Sequence, residues 1–215
     1  MEVAGVANSR GLVAQTAVLL NRLMVRHADG VVFIGQRMAD HVMARYGEPK
    51  HYTVIETGAD TQEFDPQHLG PKESQSELEV FCEAHFTVSY VGAMGAMHDW
   101  ETLASAIPRV LETQPKAAFV IAATGPGLAR LRESLAGVDS KRLRFIDPLS
   151  DNAWARLLVR SDVSLVSLRA EARHTSCPSK TFSAMAASSA VLAIAPPDSD
   201  LGDVLVQSQG GTLVQ

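Results

Sequence analysis

Two short stretches of this 215-residue chain carry residue types suited to holding a phosphate-rich ligand. The first is the run Gly92-Ala93-Met94-Gly95-Ala96-Met97-His98. Glycines there let a backbone approach an anion closely, and the N-terminus of a following helix supplies N–H groups and positive potential. The second begins at Arg169, passes through Arg173, His174 and Thr175, and ends in Ser179, Lys180 and Thr181. Pro178 suits the first turn of a helix. Ser179 and Lys180 then stand where side chain and backbone N–H can hold a phosphate. Such a concentration of cations in a net acidic chain points to an acidic ligand. The plainer readings are turn glycines in the first stretch and a solvated basic loop in the second.

The rest of the composition narrows the chemistry. With 19 Lys and Arg against 24 Asp and Glu the net charge is −5, and 46% of residues are apolar. A nucleic-acid-binding surface needs clustered excess Lys and Arg, so that class is set aside. Cys82 and Cys177 form neither a zinc-spacing motif nor a disulfide framework, which suits a reducing compartment. His27, His41, His51, His68 and His85 are scattered without ligand spacing, and no metal or other cofactor is implied. The phosphate loop GxxxxGK[ST] and the GxSxG elbow are both missing. Thr124-Gly125-Pro126-Gly127 is followed by no ribose-binding acid, which disfavours a nicotinamide dehydrogenase. No run of about 18 apolar residues is long enough to span a membrane, and the first residues do not read as a secretory signal.

The elements that must position these stretches follow from periodicity. Residues 9–28 and Gln36–Tyr46 read as amphipathic helices, with Met38, Val42 and Met43 facing inward in the second, and residues 30–35 and 51–55 as short strands. Residues 66–84 are polar and rich in glutamate, an exposed connector. From Phe86 onward strands and helices alternate: strands at 86–91, 117–123, 143–146, 163–168 and 191–195, and helices at 99–113, 128–135, 151–159, 179–187 and from 198. Asp99 and Asp151 are the expected N-caps, and Pro108 is expected to kink or shorten its helix. A further strand is expected at the end. Near-continuous apolar strands alternating with helices predict a doubly wound parallel sheet. In the usual order its ligand crevice lies between the first and fourth strands, where both loops would meet. Gly125, and Asp147 with Pro148, would line its edges; Trp100 and Trp154 read as packing residues.

The order of motifs resembles the GT-B glycosyltransferases of family four, in the polysaccharide-biosynthesis branch that uses a PSK motif. The residues that carry it are ADGVVFIGQRMADHVMARYG, VIETGADTQEFDP, SYVGAMGAMHDWETLASAI, ATGPGLARL, RFIDPLSDNAWARLLVRSDVSLVSL and CPSKTFSAMAASSAVLAIAPPDSDLGDVL. The sequence departs from the family pattern in places. His98 stands for a phosphate-binding lysine, Ala93 for an arginine, and Thr175 and Ser183 for a pair of glutamates. Thr57 stands for the hinge asparagine, and Ser188 and Ala190 for a glycine and a proline.

The resemblance implies an α/β protein of two Rossmann-like domains. Residues 1–65 would be the C-terminal remnant of the acceptor domain and hinge, 66–84 the interdomain connector, and 85–215 the nucleotide-sugar-binding donor domain, truncated at its end. On this view the chain is a fragment. It implies a retaining transferase that moves a sugar from a nucleoside diphosphate sugar to a glycan or lipid-linked acceptor, without a metal. The donor would meet Gly92, Gly95, His98, Gly125, Asp147, Pro148, Leu149, Arg173, His174, Thr175, Ser179, Lys180 and Thr181, with Asp147 to Leu149 meeting the base through backbone groups. No residue is assigned a catalytic role. The expected location is the cytoplasm, free or peripheral to the inner face of the membrane, and the chain alone is expected to bind donor without transferring sugar. Two alternatives stay open: a non-catalytic nucleotide-binding or partner module, and a nucleotide-sugar epimerase on the same scaffold.

Overall fold

The structure is a computed structural model that describes residues 11–65, 67, 69, 76–138, 141–147 and 149–215. Two parallel sheets organise it. The smaller pairs β1 (Val31–Phe33) with β2 (Tyr52–Val54), flanked by α1 (Leu12–His27) and α2 (Gln36–Tyr46). The larger has six strands: β3 (Phe86–Ala93), β4 (Ala117–Thr124), β5 (Leu143–Phe145), β6 (Val163–Ser167), β7 (Ala190–Ile194) and β8 (Gly211–Val214). Their order across the sheet is β5-β4-β3-β6-β7-β8, all parallel. This is the doubly wound, Rossmann-like arrangement expected, and strand order reverses between β3 and β6. A crevice therefore opens beyond the carboxyl ends of those two strands.

The helices of the large sheet are α3 (Glu77–Ala84), α4 (Trp100–Thr113), α5 (Pro126–Ser134), α6 (Asp151–Val159), α7 (Lys180–Ala186) and α8 (Asp200–Ser208). One core packs Leu103, Ile107 and Leu111 of α4 and Leu131 of α5 against Tyr90, Phe119 and Ile121 of the sheet. A second packs Ala155, Leu157 and Leu158 of α6 with Val91, Val120 and Ala122. A third gathers Ala184 of α7 and Leu201 and Leu205 of α8 around Val166, Val191 and Ala193. Central strands are thus buried on both faces, which is why β4 reads as an unbroken apolar run. Trp154 packs on Phe64 at 5.2 Å between ring centroids, and Trp100 lies against the first core, so both tryptophans are packing residues. Cys82 and Cys177 are buried and unpaired, and burial pushes both thiols up, Cys177 to about 11.

Several expectations are corrected. The glutamate-rich segment is not connector throughout. Its second half is α3, with Phe81 and Cys82 buried. Ser76 and Glu79 form a reciprocal capping box there, and the overall acidity of the segment hides that short-range signal. Residues 66, 68 and 70–75 lie outside the described residues. Helix α4 runs through Pro108 to Thr113 without shortening. Asp151 is the first helical residue of α6, and Ser150 takes the cap position without a side-chain bond. Met38, Val42 and Met43 are only half-buried; the fully buried residue of α2 is Ala39. In α1, Leu19, Leu20, Leu23 and Met24 are exposed, because a two-stranded sheet is too small to cover the helix.

The two halves meet where α2 approaches α8. Arg37 makes a two-point ion pair with Asp203, at 2.5 and 2.8 Å. The buried Asp200 carboxylate accepts from the backbone N–H of Arg37 and of Met38. Gly35, the N-cap of α2, leaves room for this carboxylate: a Cβ there would fall 2.1 Å from Asp200 Cγ.

Candidate functional site

The loop that leaves β3 is shaped by its first glycine. Gly92 has φ +101°, a conformation that side-chain-bearing residues rarely adopt. The space over it is taken by Lys180: a Cβ built on Gly92 would lie 3.8 Å from Lys180 Cε. Lys180 enters from α7, on the far side of the crevice, and its ammonium donates to the Ala93 carbonyl at 2.7 Å and the Tyr90 hydroxyl at 3.0 Å. The two stretches singled out by sequence are therefore in direct contact.

The remaining cations are differently placed. Arg169 donates to the His98 carbonyl at 3.1 Å and pairs with Glu101 on α4. Arg173 donates to the Ala170 carbonyl at 2.8 Å and pairs with Asp198 at 3.1 Å. Both guanidiniums thus have carboxylate partners. Lys180 is bonded to neutral oxygens, and burial pushes its pKa down to about 7. An ammonium carries three N–H bonds, and these contacts use two of them. The site therefore offers one unspent donor and a charge whose desolvation is uncompensated, which an incoming anion would correct.

His98 does not extend into the crevice as a lysine would. Its Nδ1 accepts from the Gly95 N–H at 3.1 Å, closing the loop on itself. Burial pushes the imidazole down to about 4, with the Lys180 charge as a second cause, so the ring is neutral at physiological pH. The Asp99 cap likewise takes the Thr102 N–H, leaving fewer free donors at the start of α4 than a bare helix N-terminus has.

His174 and Thr175 turn away from the glycine loop. The His174 ring stacks on His41 of α2, with centroids 5.3 Å apart. Its Nε2 accepts from Arg173 Nε at 3.1 Å, and its Nδ1 is buried without a partner. The Thr175 hydroxyl donates to the Ala172 carbonyl, and the Ser179 side chain is exposed. Thr181 is buried in α7, with its hydroxyl unpartnered. Thr124 and Gly127 zip the β4 loop to the β3 loop, and Gly125 between them passes so close that a Cβ would lie 3.0 Å from the Met94 carbonyl oxygen. Met94 N–H donates to the Thr124 carbonyl at 2.7 Å, and Gly127 N–H donates to the Met94 carbonyl at 2.8 Å. Asp147 is exposed at the end of β5, and Leu149 packs in the second core. They sit two strands from β3, about 10 Å away at ordinary strand spacing. Pro148 lies outside the described residues.

Sequence reasoning missed three participants. Tyr90 reads as one more apolar strand residue. Glu101 and Asp198 read as first-turn helix acids, and only the fold shows that they face Arg169 and Arg173. Among the described residues no cluster of His, Cys, Asp and Glu could hold a metal ion, and no helix is long and apolar enough to cross a membrane.

Comparison with known proteins identifies the larger unit. Residues 85–215 match the family described as Glycosyl transferases group 1. No curated protein matches the chain. Among solved structures, the Anabaena protein Alr3699/HepE in complex with UDP and glucose superposes with a TM-score of 0.71 at 16% identity, covering 94% of this chain and 53% of that one. WaaG, a glycosyltransferase involved in lipopolysaccharide biosynthesis, gives 0.69 at 13% identity, covering 99% and 58%. A glycosyltransferase from Rickettsia africae gives 0.65 at 18% identity, covering 86% and 49%. The chain spans about half the length of these structures, and at such identities the likeness is one of fold.

Proposed function

The chain belongs to the group 1 glycosyl transferases, and we propose that its larger unit holds a nucleoside diphosphate sugar for transfer to a glycan or lipid-linked acceptor, with retention at the anomeric carbon. The observation that carries this reading is Lys180, laid over Gly92 with only neutral oxygens as partners. In this reading the diphosphate lies at the mouth of the glycine loop, against the N–H of Lys180 that its contacts to Ala93 and Tyr90 leave unspent. Arg173 stands behind it on the second loop, already paired with Asp198. Lys180 offsets the charge that develops on the leaving diphosphate, a role that positive side chains fill without a metal. Asp147 and Leu149 meet the base at the outer edge of the crevice. Residues before about 66 contribute the acceptor side, and the tie between α2 and α8 sets the two sides against each other. The reading places the enzyme in the cytoplasm, where a lipid-linked acceptor would bring it to the inner face of the membrane. That the fold also occurs in an Anabaena protein solved with UDP and glucose supports a nucleotide-sugar ligand.

Thermal unfolding with added ligand tests the reading. UDP, GDP or ADP should raise the melting temperature and NAD should not; at 100 times the dissociation constant the gain is about 2.7 kcal/mol. Lys180→Glu should abolish that gain while Lys116→Glu, on the exposed turn before β4, leaves it intact. Equal responses to NAD, or no response to any diphosphate, would overturn the donor-site assignment.

A further inference from the structure

Tyr90 is fully buried, and its hydroxyl meets the lysine that enters from across the crevice. It donates to the Ala93 carbonyl at 3.2 Å and accepts from Lys180 Nζ at 3.0 Å, while Nζ bonds the same carbonyl at 2.7 Å. The three groups close a triangle. The ammonium also sits 4.1 Å from the centre of the Tyr90 ring, within cation–π range. Strand β3 carries both Tyr90 and Gly92, two residues apart, so the ring is anchored on the element that leads into the glycine loop. A phenylalanine would fill the same core volume. The hydroxyl is therefore not needed for packing; besides an interaction with the Ser167 side chain on β6, its contacts lead to the lysine and to the loop beneath it.

We propose that Tyr90 is a positioning residue for the donor diphosphate: its ring and hydroxyl hold Lys180 Nζ at the mouth of the glycine loop, with one N–H left for a diphosphate oxygen. The proposal rests on the donor-site reading above. A lysine on its four-carbon stem loses much rotamer freedom when it is fixed, and fixing it beforehand removes that cost from binding. The hydroxyl and ring also favour the ammonium over the amine, against the desolvation that pushes Lys180 down. The titratable groups against Lys180 are His98, which is neutral, and Tyr90 itself, whose phenol burial pushes up so that it stays protonated. Without the hydroxyl, less ammonium is present at a given pH, and what remains is less well aimed.

The test is a double-mutant cycle read by calorimetric binding of UDP between pH 7 and 9.5, above the range in which the terminal phosphate titrates. Tyr90→Phe should weaken UDP binding about tenfold at pH 7.5, the scale of one charge-assisted hydrogen bond, and should move the alkaline loss of affinity to lower pH. In a Lys180→Ala background the same Tyr90→Phe change should have no further effect. Wild-type affinity and pH profile in Tyr90→Phe, or full additivity of the two substitutions, would overturn the positioning role while leaving the donor site standing. Failure of the unsubstituted chain to bind UDP, GDP or ADP would overturn both.

Discussion

Asp200 caps the backbone of Arg37 across 163 residues of chain: one carboxylate oxygen accepts from the Arg37 N–H at 2.8 Å and the other from Met38 at 3.0 Å. Helix α2 has no cap of its own, because Gly35 carries no side chain. The first N–H groups of a helix need an acceptor, and here α8 supplies it from another unit of the fold. The same contact brings the helix dipole of α2 to a buried carboxylate.

Replacing Asp200 with alanine should cost about 2 kcal/mol, the sum of a lost cap and a charge-assisted bond. Asparagine keeps one acceptor oxygen and should cost roughly half as much. Gly35→Ala should act in the same direction, because its Cβ would displace the carboxylate. Urea unfolding midpoints measure all three. An Asp200→Ala midpoint equal to wild type would show that the cap adds nothing.

The two glycines of the β3 loop should differ under substitution. Gly92→Ala finds enough space, 3.8 Å from Lys180 Cε, but meets a φ of +101° and should cost about 1–2 kcal/mol. Gly95 has open space around it and no positive φ, so Gly95→Ala should stay within about 0.5 kcal/mol. Thermal melts of the two variants decide this, and equal losses would mean that the positive φ of Gly92 does not set the cost of substitution in the loop.

Lys180 and Arg173 should rank unequally as diphosphate ligands. Lys180→Ala should weaken UDP binding about tenfold or more, since a charge-assisted contact contributes roughly 1.5–3 kcal/mol. Arg173 already has Asp198, Ala170 and His174 as partners, so Arg173→Ala should change affinity by less than about threefold. Fluorescence or calorimetric titration gives both numbers, and the reverse ranking would move the anion to the second loop.

Acid should destabilise the protein through two imidazoles held below their ordinary range. His98 is held down at about 4, and burial together with His174, Arg45 and Arg173 holds His41 below its usual 6.5. The unfolded chain therefore takes up these protons near pH 6.5, before the folded chain does. Stability should be fully present above that pH and fall progressively toward pH 4. His98→Asn, which keeps an acceptor for the Gly95 N–H, should flatten the slope of melting temperature between pH 7 and 5. An unchanged slope would assign the acid loss elsewhere.

Local signals carried much of the architecture. Asp99 capping α4, Gly47 ending α2 and the unbroken apolar run of β4 act within a few residues, so spacing exposes them. The meeting of Gly92 and Lys180 was legible one step further on, because the parallel order fixes where strand direction reverses. What stayed hidden depends on partners remote in sequence. Glu101 and Arg169 lie 68 residues apart, and nothing in either neighbourhood points to the other. His98 looked like a ligand because its position in the loop was visible, while its bond to Gly95 depends on the fold of that loop. Tyr90 was hidden for a different reason: in a strand an aromatic is expected on packing grounds, and only coordinates separate the role of its ring from that of its hydroxyl.

The burial of both native thiols makes the protein a ready background for site-specific labelling. The thiolate is the species that attacks a labelling reagent, and a sulfur that is both inaccessible and hard to ionise reacts slowly. A single cysteine placed on an exposed turn of α2 and another on α8 could carry a donor and acceptor dye without removing Cys82 or Cys177. Energy transfer between them would then follow, molecule by molecule, whether the two units separate and re-engage as nucleotide arrives.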